Sequence, residues 1–200
     1  NGYAGMSINY ALANASHPGP TWPQNLHDCK TAVRWLRANA ERLGIDPERI
    51  GVIGGSAGGH LAAMVALTGP ELDPPGEGST RVQCAVDLYG PVLCFERRDI
   101  AMFRKTRAEA PELYKQADPR THISKGVPPI LILHGTADKT VPVADSEALA
   151  AALKAAGVEH QLEIIPDAPH TFHLQPKQRD LRPLVLGFFD KHLKRQGKGG

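Results

Sequence analysis

A serine flanked by glycines stands where an apolar run changes into a run of small residues. Residues 50–61 read IGVIGGSAGGHL, and the serine is Ser56. A serine on a tight strand-to-helix turn takes a strained backbone conformation, so the residues two positions before and after it must be nearly free of side chain. Gly54 and Gly58 meet that requirement. The pattern predicts a nucleophile elbow with Ser56 as the candidate nucleophile.

An aspartate and a histidine that could activate this serine follow it along the chain. A serine hydroxyl is a weak nucleophile at neutral pH and needs a base, which a carboxylate in turn orients. Asp138 ends the apolar run 130–138, and His170 follows Pro169 in a loop after another predicted strand. The order serine, aspartate, histidine predicts a catalytic triad for acyl transfer, with Ser56 as nucleophile, His170 as base and Asp138 as the orienting acid.

Other titratable side chains are alternatives for these roles. Asp87 stands near the end of a further apolar run and is the alternative acid, whereas His173 is the alternative base. His134 precedes a glycine and is predicted to be a turn residue. His60 comes four residues after the elbow serine, where we expect hydrogen-bonded scaffolding rather than a second base.

These motifs resemble those of the α/β-hydrolase superfamily, and within it the bacterial carbohydrate and feruloyl esterases that are similar to acetylxylan esterases. The matching segments are 54–62 (GGSAGGHLA), 134–138 (HGTAD) with Val141-Pro142, and 168–172 (APHTF). The resemblance implies a serine esterase that forms an acyl-enzyme on acetyl or feruloyl esters of carbohydrates, or on other small acyl or aryl esters. Amide hydrolysis, as in arylformamidases or serine peptidases of the same fold, is the alternative. A binding module without catalysis is a third and less favoured reading.

The tetrahedral intermediate of ester hydrolysis needs backbone N–H donors for its oxyanion. We expect one donor to be the amide of Ala57, the residue after the nucleophile. The second normally comes from a loop after the third strand of the fold, which the resemblance places before Asn1. We therefore expect residues 1–200 to lack the N-terminal strands of the fold and to hydrolyse esters poorly on their own.

Strand and helix patterns alternate along the chain. Apolar or alternating runs predict strands at 4–12, 50–55, 82–88, 130–135 and 161–165. Helical spacing predicts helices at 23–43, 57–67, 143–156 and 181–188. Such alternation predicts a single α/β domain over residues 1–200, in which a mostly parallel sheet is covered by helices on both faces.

Residues 92–126 lack this periodicity and carry many charges. By the resemblance they are a cap-like insertion that covers the pocket and influences the choice of substrate. Four side chains are predicted to line the acyl or aryl side of the pocket: Phe95, Met102, Phe103 and, beside the histidine, Phe172. The alternative is that the apolar residues of this insertion anchor two short helices to the body of the domain.

Composition excludes several classes of protein. A net charge of +2 with mixed signs argues against nucleic acid as a partner, and the absence of an apolar run of about 18 residues argues against a membrane span. Cys29, Cys84 and Cys94 form neither a zinc pattern nor a disulfide framework and are predicted to be buried thiols, although one bridge between two of them is open. The predicted chemistry needs no metal and no cofactor. The expected partner is a small-molecule or polysaccharide-linked ester.

Overall fold

The computed structural model describes residues 1–13 and 19–194. Its centre is a sheet of four strands, which are β1 Gly51–Gly55, β2 Cys84–Leu88, β3 Ile130–Gly135 and β4 His160–Ile165. All neighbouring pairs are parallel, and the spatial order follows the chain order. Because the strands run the same way, their C-terminal ends meet at one edge of the sheet, where the loops that follow them come together.

Seven helices surround the sheet in the described part of the chain. They are α1 Gln24–Ala38, α2 Ala40–Leu43, α3 Ala57–Leu67, α4 Cys94–Arg97, α5 Pro111–Ala117, α6 Val143–Ala155 and α7 Arg182–Leu193. Short 3₁₀ turns lie at Pro70–Leu72, Ala101–Phe103 and Pro119–His122. The four predicted helices are confirmed, the first of them interrupted at Asn39 and ended by Gly44 in the left-handed conformation.

Both faces of the sheet are covered. Alternate residues of β2 and β3 face a larger core with α1, α3 and α6, among them Ala85, Ile130 and Ile132. Their neighbours face a second core that is closed by α7, among them Val86, Leu131 and Leu133. Strands buried on both sides read as continuous apolar runs, which is why β2 and β3 were recognisable from the sequence. The predicted parallel sheet with helices on both faces is confirmed.

The predicted strand at residues 4–12 is wrong. The structure assigns residues 1–13 no regular secondary structure, and Met6 and Leu12 are 41% and 57% exposed. Apolar alternation favours a strand, but a strand also needs a neighbour to complete its hydrogen bonds. The segment instead contacts side chains: the Ala11 N–H donates to Asp28 Oδ2 at 2.8 Å.

The three cysteines are free thiols, so the open alternative of a bridge is not realised. Cys84 is buried, as predicted, whereas Cys29 and Cys94 are only half-buried. Within residues 1–13 and 19–194, no helix has the length and apolar character needed to cross a bilayer.

Candidate active site

Ser56 lies between the last residue of β1 and the first residue of α3, with φ 56° and ψ −122°. A positive φ is strained for a residue other than glycine, so the surroundings must hold it. The Ser56 N–H donates to the Leu88 carbonyl oxygen at 2.9 Å, and the Ser56 carbonyl oxygen accepts from the His60 N–H at 3.1 Å. The predicted strand, tight turn and helix around the serine are confirmed.

The glycines on the two sides of Ser56 differ in how much space a side chain would have. A Cβ on Gly54 would lie 2.2 Å from the carbonyl oxygen of Gly58, so the predicted requirement at Gly54 is confirmed. The same prediction for Gly58 is wrong, because a Cβ there would meet no atom within 4 Å. A Cβ on Gly59 or on Gly90, which the sequence did not single out, would lie 2.3 or 2.4 Å from Asp87 Oδ1.

His170 lies between Ser56 and Asp138. Its Nε2 is 3.0 Å from Ser56 Oγ, and its Nδ1 is 2.6 Å from Asp138 Oδ2. In the neutral tautomer that these contacts favour, Nδ1–H donates to the aspartate and Nε2 accepts from the serine hydroxyl. The structure therefore brings together the three residues that the sequence named, from the loops that follow β1, β3 and β4.

The Asp138 carboxylate is fixed by backbone donors. Its side chain is 1% exposed, and Oδ1 accepts from the N–H groups of Thr140 at 2.8 Å and Val141 at 2.9 Å. Burial alone would raise the pKa of Asp138, but hydrogen bonds from His170, Val141 and Thr140 outweigh it and hold the pKa below its ordinary value. An ionised carboxylate at neutral pH is the form that can orient an imidazole and stabilise its cation.

Tyr89 supports the histidine loop, although the sequence did not single it out for this role. Its ring meets the ring of His170 edge-on with centroids 4.8 Å apart, and its hydroxyl donates to the Phe172 carbonyl oxygen at 2.9 Å. A Cβ on Gly55 would lie 2.7 Å from the Tyr89 hydroxyl oxygen, so the glycine before the nucleophile leaves room for this ring. The sequence feature that could have indicated this role is an aromatic residue directly after β2.

His60 and His173 do not contact the serine hydroxyl. His60 is buried, its Nε2 lies 2.7 Å from the Ala117 carbonyl oxygen, and burial lowers its pKa to about 4. The scaffolding prediction for His60 is confirmed. His173, the alternative base, is exposed and forms no hydrogen bond to the serine in the part of the chain that the structure describes.

His134 lies inside β3, so the prediction that it is a turn residue is wrong. The ring is fully buried, with Nδ1 2.7 Å from Ser146 Oγ and Nε2 3.0 Å from the Val141 carbonyl oxygen. The same Nε2 lies 3.3 Å from Asp138 Oδ2. His134 thus ties the loop after β3 to α6 and stands behind the aspartate.

Asp87, the alternative acid, lies beneath the elbow and does not contact His170. It is 1% exposed, and its Oδ1 accepts from the Gly90 N–H at 2.9 Å. Its Oδ2 is buried and has no hydrogen-bond partner within residues 1–13 and 19–194. Burial raises the pKa of Asp87 to about 7, an effect that the Gly90 hydrogen bond only partly offsets.

The raised pKa predicts a pH-dependent difference in stability between the protein and an Asp87→Asn variant. The folded protein keeps a proton on Asp87 that the unfolded chain loses above the ordinary pKa of 3.8. Unfolding therefore releases this proton between about pH 4 and pH 7, and the stability of the wild type relative to the variant should fall across that window. Urea unfolding of both proteins at about pH 4.5 and about pH 8 measures the difference. An unchanged difference would contradict the assignment.

The four predicted pocket side chains are mostly buried. Phe95 and Phe103 lie in the larger core, 4% and 2% exposed, and Phe103 packs on Tyr114. Phe172 is 5% exposed in the second core. Met102 is half-buried against the larger core. This is the arrangement that the anchoring alternative predicts, and a contact of these four residues with substrate stays a prediction.

The amide of Ala57 stands at the first position of α3, directly after the nucleophile. The leading N–H groups of a helix have no intrahelical acceptor, and the helix dipole adds positive potential at this end. An oxyanion that forms on a carbonyl attacked by Ser56 would meet this amide first. The role of Ala57 as oxyanion donor stays a prediction.

Relatives of known name match most of this chain. Residues 1–153 match the family model described as BD-FAE. Esterase LipQ of Mycobacterium tuberculosis is 36% identical over 187 residues, which cover 86% of this chain and 44% of LipQ. The acylamino-acid-releasing enzyme of Arabidopsis thaliana is 32% identical over 210 residues, which cover 96% of this chain and 27% of that enzyme. The chain thus spans less than half the length of these curated relatives.

The arrangement of strands and helices is also found in solved structures. The truncated form of a carbohydrate esterase from gut microbiota superposes with a TM-score of 0.81 at 26% identity, covering 94% of this chain and 74% of that one. The family match extends over more than half of the chain and includes the elbow serine and the aspartate of the candidate site. Together with the parallel sheet that helices cover on both faces, this match shows that the chain belongs to the BD-FAE family.

Proposed function

We propose that this chain hydrolyses carboxylic esters with Ser56 as nucleophile, His170 as general base and Asp138 as the residue that orients the imidazole. The observation that carries the proposal is the continuous pair of hydrogen bonds, 3.0 Å from Ser56 Oγ to His170 Nε2 and 2.6 Å from His170 Nδ1 to Asp138 Oδ2. The strained backbone of Ser56 supports it, because such strain is stored where chemistry needs it. LipQ and the gut carbohydrate esterase carry the name esterase.

Acylation begins when His170 Nε2 takes the proton of the Ser56 hydroxyl as Oγ attacks the ester carbonyl carbon. The carbonyl oxygen becomes an oxyanion, to which the Ala57 N–H donates. Asp138 accepts from Nδ1–H throughout and stabilises the imidazolium without taking the proton. When the tetrahedral intermediate collapses, His170 gives the proton to the leaving alcohol and the acyl group remains on Oγ.

Deacylation repeats these steps with water. His170 takes a proton from the water as its oxygen attacks the acyl carbon, and then returns the proton to Ser56 Oγ when the carboxylic acid leaves. The side chain of His170 is 14% exposed. It can therefore meet water from solvent while its hydrogen bond to the buried aspartate stays covered. None of these steps requires a metal or an organic cofactor.

The substrates we propose are acetyl or feruloyl esters of carbohydrates, or other small acyl and aryl esters. The similarity to a structure named as a carbohydrate esterase supports a sugar-linked ester. We also propose that residues 1–200 are a single domain in which residues 92–126 form a cap beside the site. In support, Asp145 of α6 accepts from the N–H groups of Val92 and Leu93, which fixes the start of this segment to the body.

Amide hydrolysis is the second candidate function. The favouring observation is the similarity of 96% of the chain to an enzyme named as acylamino-acid-releasing. The same serine, histidine and aspartate could cleave an amide, because the triad mechanism is shared by esterases and peptidases. The leaving amine of an amide must be protonated by the histidine as the bond breaks, so geometry at the leaving group decides between the two functions.

Paired substrates test the proposed function. We expect kcat/KM for hydrolysis of 4-nitrophenyl acetate to exceed that for an aminoacyl 4-nitroanilide by at least about 100-fold. The amine of the anilide must be protonated as its bond breaks, and a site without a specialised leaving-group geometry gives little help with that step. Both reactions release a coloured product that absorbance measures directly. Preference for the anilide would establish the amide reading instead. A fluorophosphonate that labels no serine would overturn both readings and favour a binding module.

A further inference from the structure

A cavity of about 200 Å³ opens between the start of segment 92–126 and the loop after β3. It is lined, among others, by Pro91, Arg97, Arg98, Thr140, Pro142 and Asp145. It is smaller than the pockets of about 300–1,000 Å³ that hold drug-sized ligands. The available space therefore suits one sugar unit or a group of similar size.

One wall of this cavity belongs to the loop after β3, which also carries Asp138 of the candidate site. The Thr140 N–H donates to Asp138 Oδ1 at 2.8 Å. Pro91 follows Gly90, whose N–H donates to Asp87 Oδ1 beneath the elbow. These residues follow β3 and β2, which are neighbours in the sheet. The cavity therefore opens at the edge of the sheet on which Ser56 lies.

Arg97 and Arg98 give the cavity two positive charges. Both side chains are exposed, and neither forms an ion pair with a carboxylate in residues 1–13 and 19–194. Two carboxylates of the same segment are paired with a different arginine, since Arg120 Nη2 lies 2.5 Å from Glu96 Oε1 and 2.6 Å from Asp118 Oδ2. The two guanidinium groups are thus free to bind an anion from solvent.

The charge balance of segment 92–126 favours an anion as well. The segment contains eight lysines and arginines but five aspartates and glutamates, whereas the chain as a whole is close to balance with 23 and 21. A local excess of one sign beside a cleft raises the local concentration of oppositely charged substrates. Two of the eight cationic residues of the segment, Arg97 and Arg98, line the cavity.

Asp145 adds an acceptor to the same cavity. It is 2% exposed, and its Oδ2 accepts from the N–H groups of Val92 at 2.7 Å and Leu93 at 2.9 Å. Its Oδ1 is buried and has no hydrogen-bond partner in the described ranges. A buried acceptor without a donor is costly, so ligand binding that opens access to Oδ1 would let a ligand hydroxyl satisfy it.

We infer that this cavity binds an acidic sugar as part of the ester substrate. The sugar carboxylate contacts Arg97 and Arg98, whose planar N–H donors match carboxylate geometry, and a sugar hydroxyl donates to Asp145 Oδ1. The inference rests on the proposed esterase function and names its substrate class as esters of carbohydrates that contain a uronic acid. The acyl group then reaches Ser56 while the neighbouring acidic unit is held at the cavity.

Binding of sugars without an ester tests the subsite independently of turnover. We expect the full chain to bind sodium glucuronate about tenfold more tightly than methyl glucoside in isothermal titration, and Arg97→Gln or Arg98→Gln to remove this preference. Arg81→Gln removes the same charge just before β2, where the strands begin, and should leave the preference intact. Equal affinity for both sugars, or equal loss in all three variants, would overturn the subsite.

A pair of monoacetylated sugars separates failure of the subsite from failure of the proposed function. The kcat/KM for acetylated methyl glucuronoside should exceed that for acetylated methyl glucoside by about tenfold, mainly through a lower KM. In the Arg97→Gln variant the two values should become equal. Equal turnover of both esters overturns the subsite and leaves the esterase function in place. If neither ester is cleaved but glucuronate still binds through Arg97, the esterase function fails and the acidic-sugar site stands.

Discussion

Replacing Ser56 with alanine should lower ester hydrolysis by about 10⁶-fold, and His170→Ala should have an effect of the same size, because nucleophile and base act as one unit. The double variant should be no slower than either single one. The Ser56 hydroxyl and the imidazole are partners in one hydrogen bond, and removing either leaves the other without its function. Single-turnover hydrolysis of 4-nitrophenyl acetate and fluorophosphonate labelling measure the loss.

The acidic member is tested by a matched pair of substitutions. Asp138→Asn should lower the rate by about 10⁴-fold, because an amide in place of the carboxylate no longer favours the tautomer that accepts from serine. Asp87→Asn makes the same chemical change beneath the elbow, where the raised pKa of about 7 keeps the carboxyl about half protonated at neutral pH. It should therefore leave the rate within about threefold. A larger loss in the Asp87 variant than in the Asp138 variant would assign the acid to Asp87.

Folding of these variants should be unaffected or nearly so, which separates loss of chemistry from loss of structure. Ser56 and His170 contribute little to either hydrophobic core. Urea unfolding should place both alanine variants within about 1 kcal/mol of the wild type. An unfolding midpoint that falls together with activity would mean that the residues support the elbow rather than the reaction.

The proximity of Ser56, Asp138 and His170 could be predicted from the sequence because each of them follows a predicted strand. β2 and β3 are buried on both faces, which gives uninterrupted apolar runs, and parallel strands bring the ends of such runs to one edge. Ser56, Asp138 and His170 follow β1, β3 and β4, which belong to the same parallel sheet. Their proximity then follows from topology rather than from any short-range signal.

Other features depend on contacts that no local pattern encodes. The alternation in residues 4–12 predicts a strand, but a strand exists only with a paired neighbour, and the edge of β1 does not pair with this segment. Within residues 1–13 and 19–194, Arg120 rather than Arg97 or Arg98 forms ion pairs with Glu96 and Asp118. Such competition among side chains from distant positions becomes visible only in the folded protein.

The apolar residues of segment 92–126 show why composition alone could not separate a pocket lining from a core anchor. Phe95 and Phe103 have the same chemistry in either role. In the structure their rings lie in one aromatic group with Trp22 and Tyr114. The direction of each ring depends on α4 and the 3₁₀ turns around it, which are too short to show a helical period.

Gly54→Ala should destabilise the protein by about 3 kcal/mol or more, because its Cβ would lie 2.2 Å from the Gly58 carbonyl oxygen and the clash involves backbone on both sides. A flexible side chain could turn away from such a contact, but here β1 and the first turn of α3 must separate. Ser56 lies between them, so its Oγ would move relative to His170. A displacement of about 1 Å at reacting atoms can lower the rate by about 100-fold.

Gly58→Ala is the matched control, since it adds the same methyl group to the other glycine of the elbow. Its Cβ meets no atom within 4 Å, and its backbone is helical. Alanine is favoured over glycine inside a helix by about 0.5–1 kcal/mol, so this variant should be as stable as the wild type or more stable. Urea unfolding of the two variants measures the contrast. Equal destabilisation would mean that both glycines are needed for the tight turn, whereas a large loss at Gly54 alone would show that one close backbone contact sets the position of the serine.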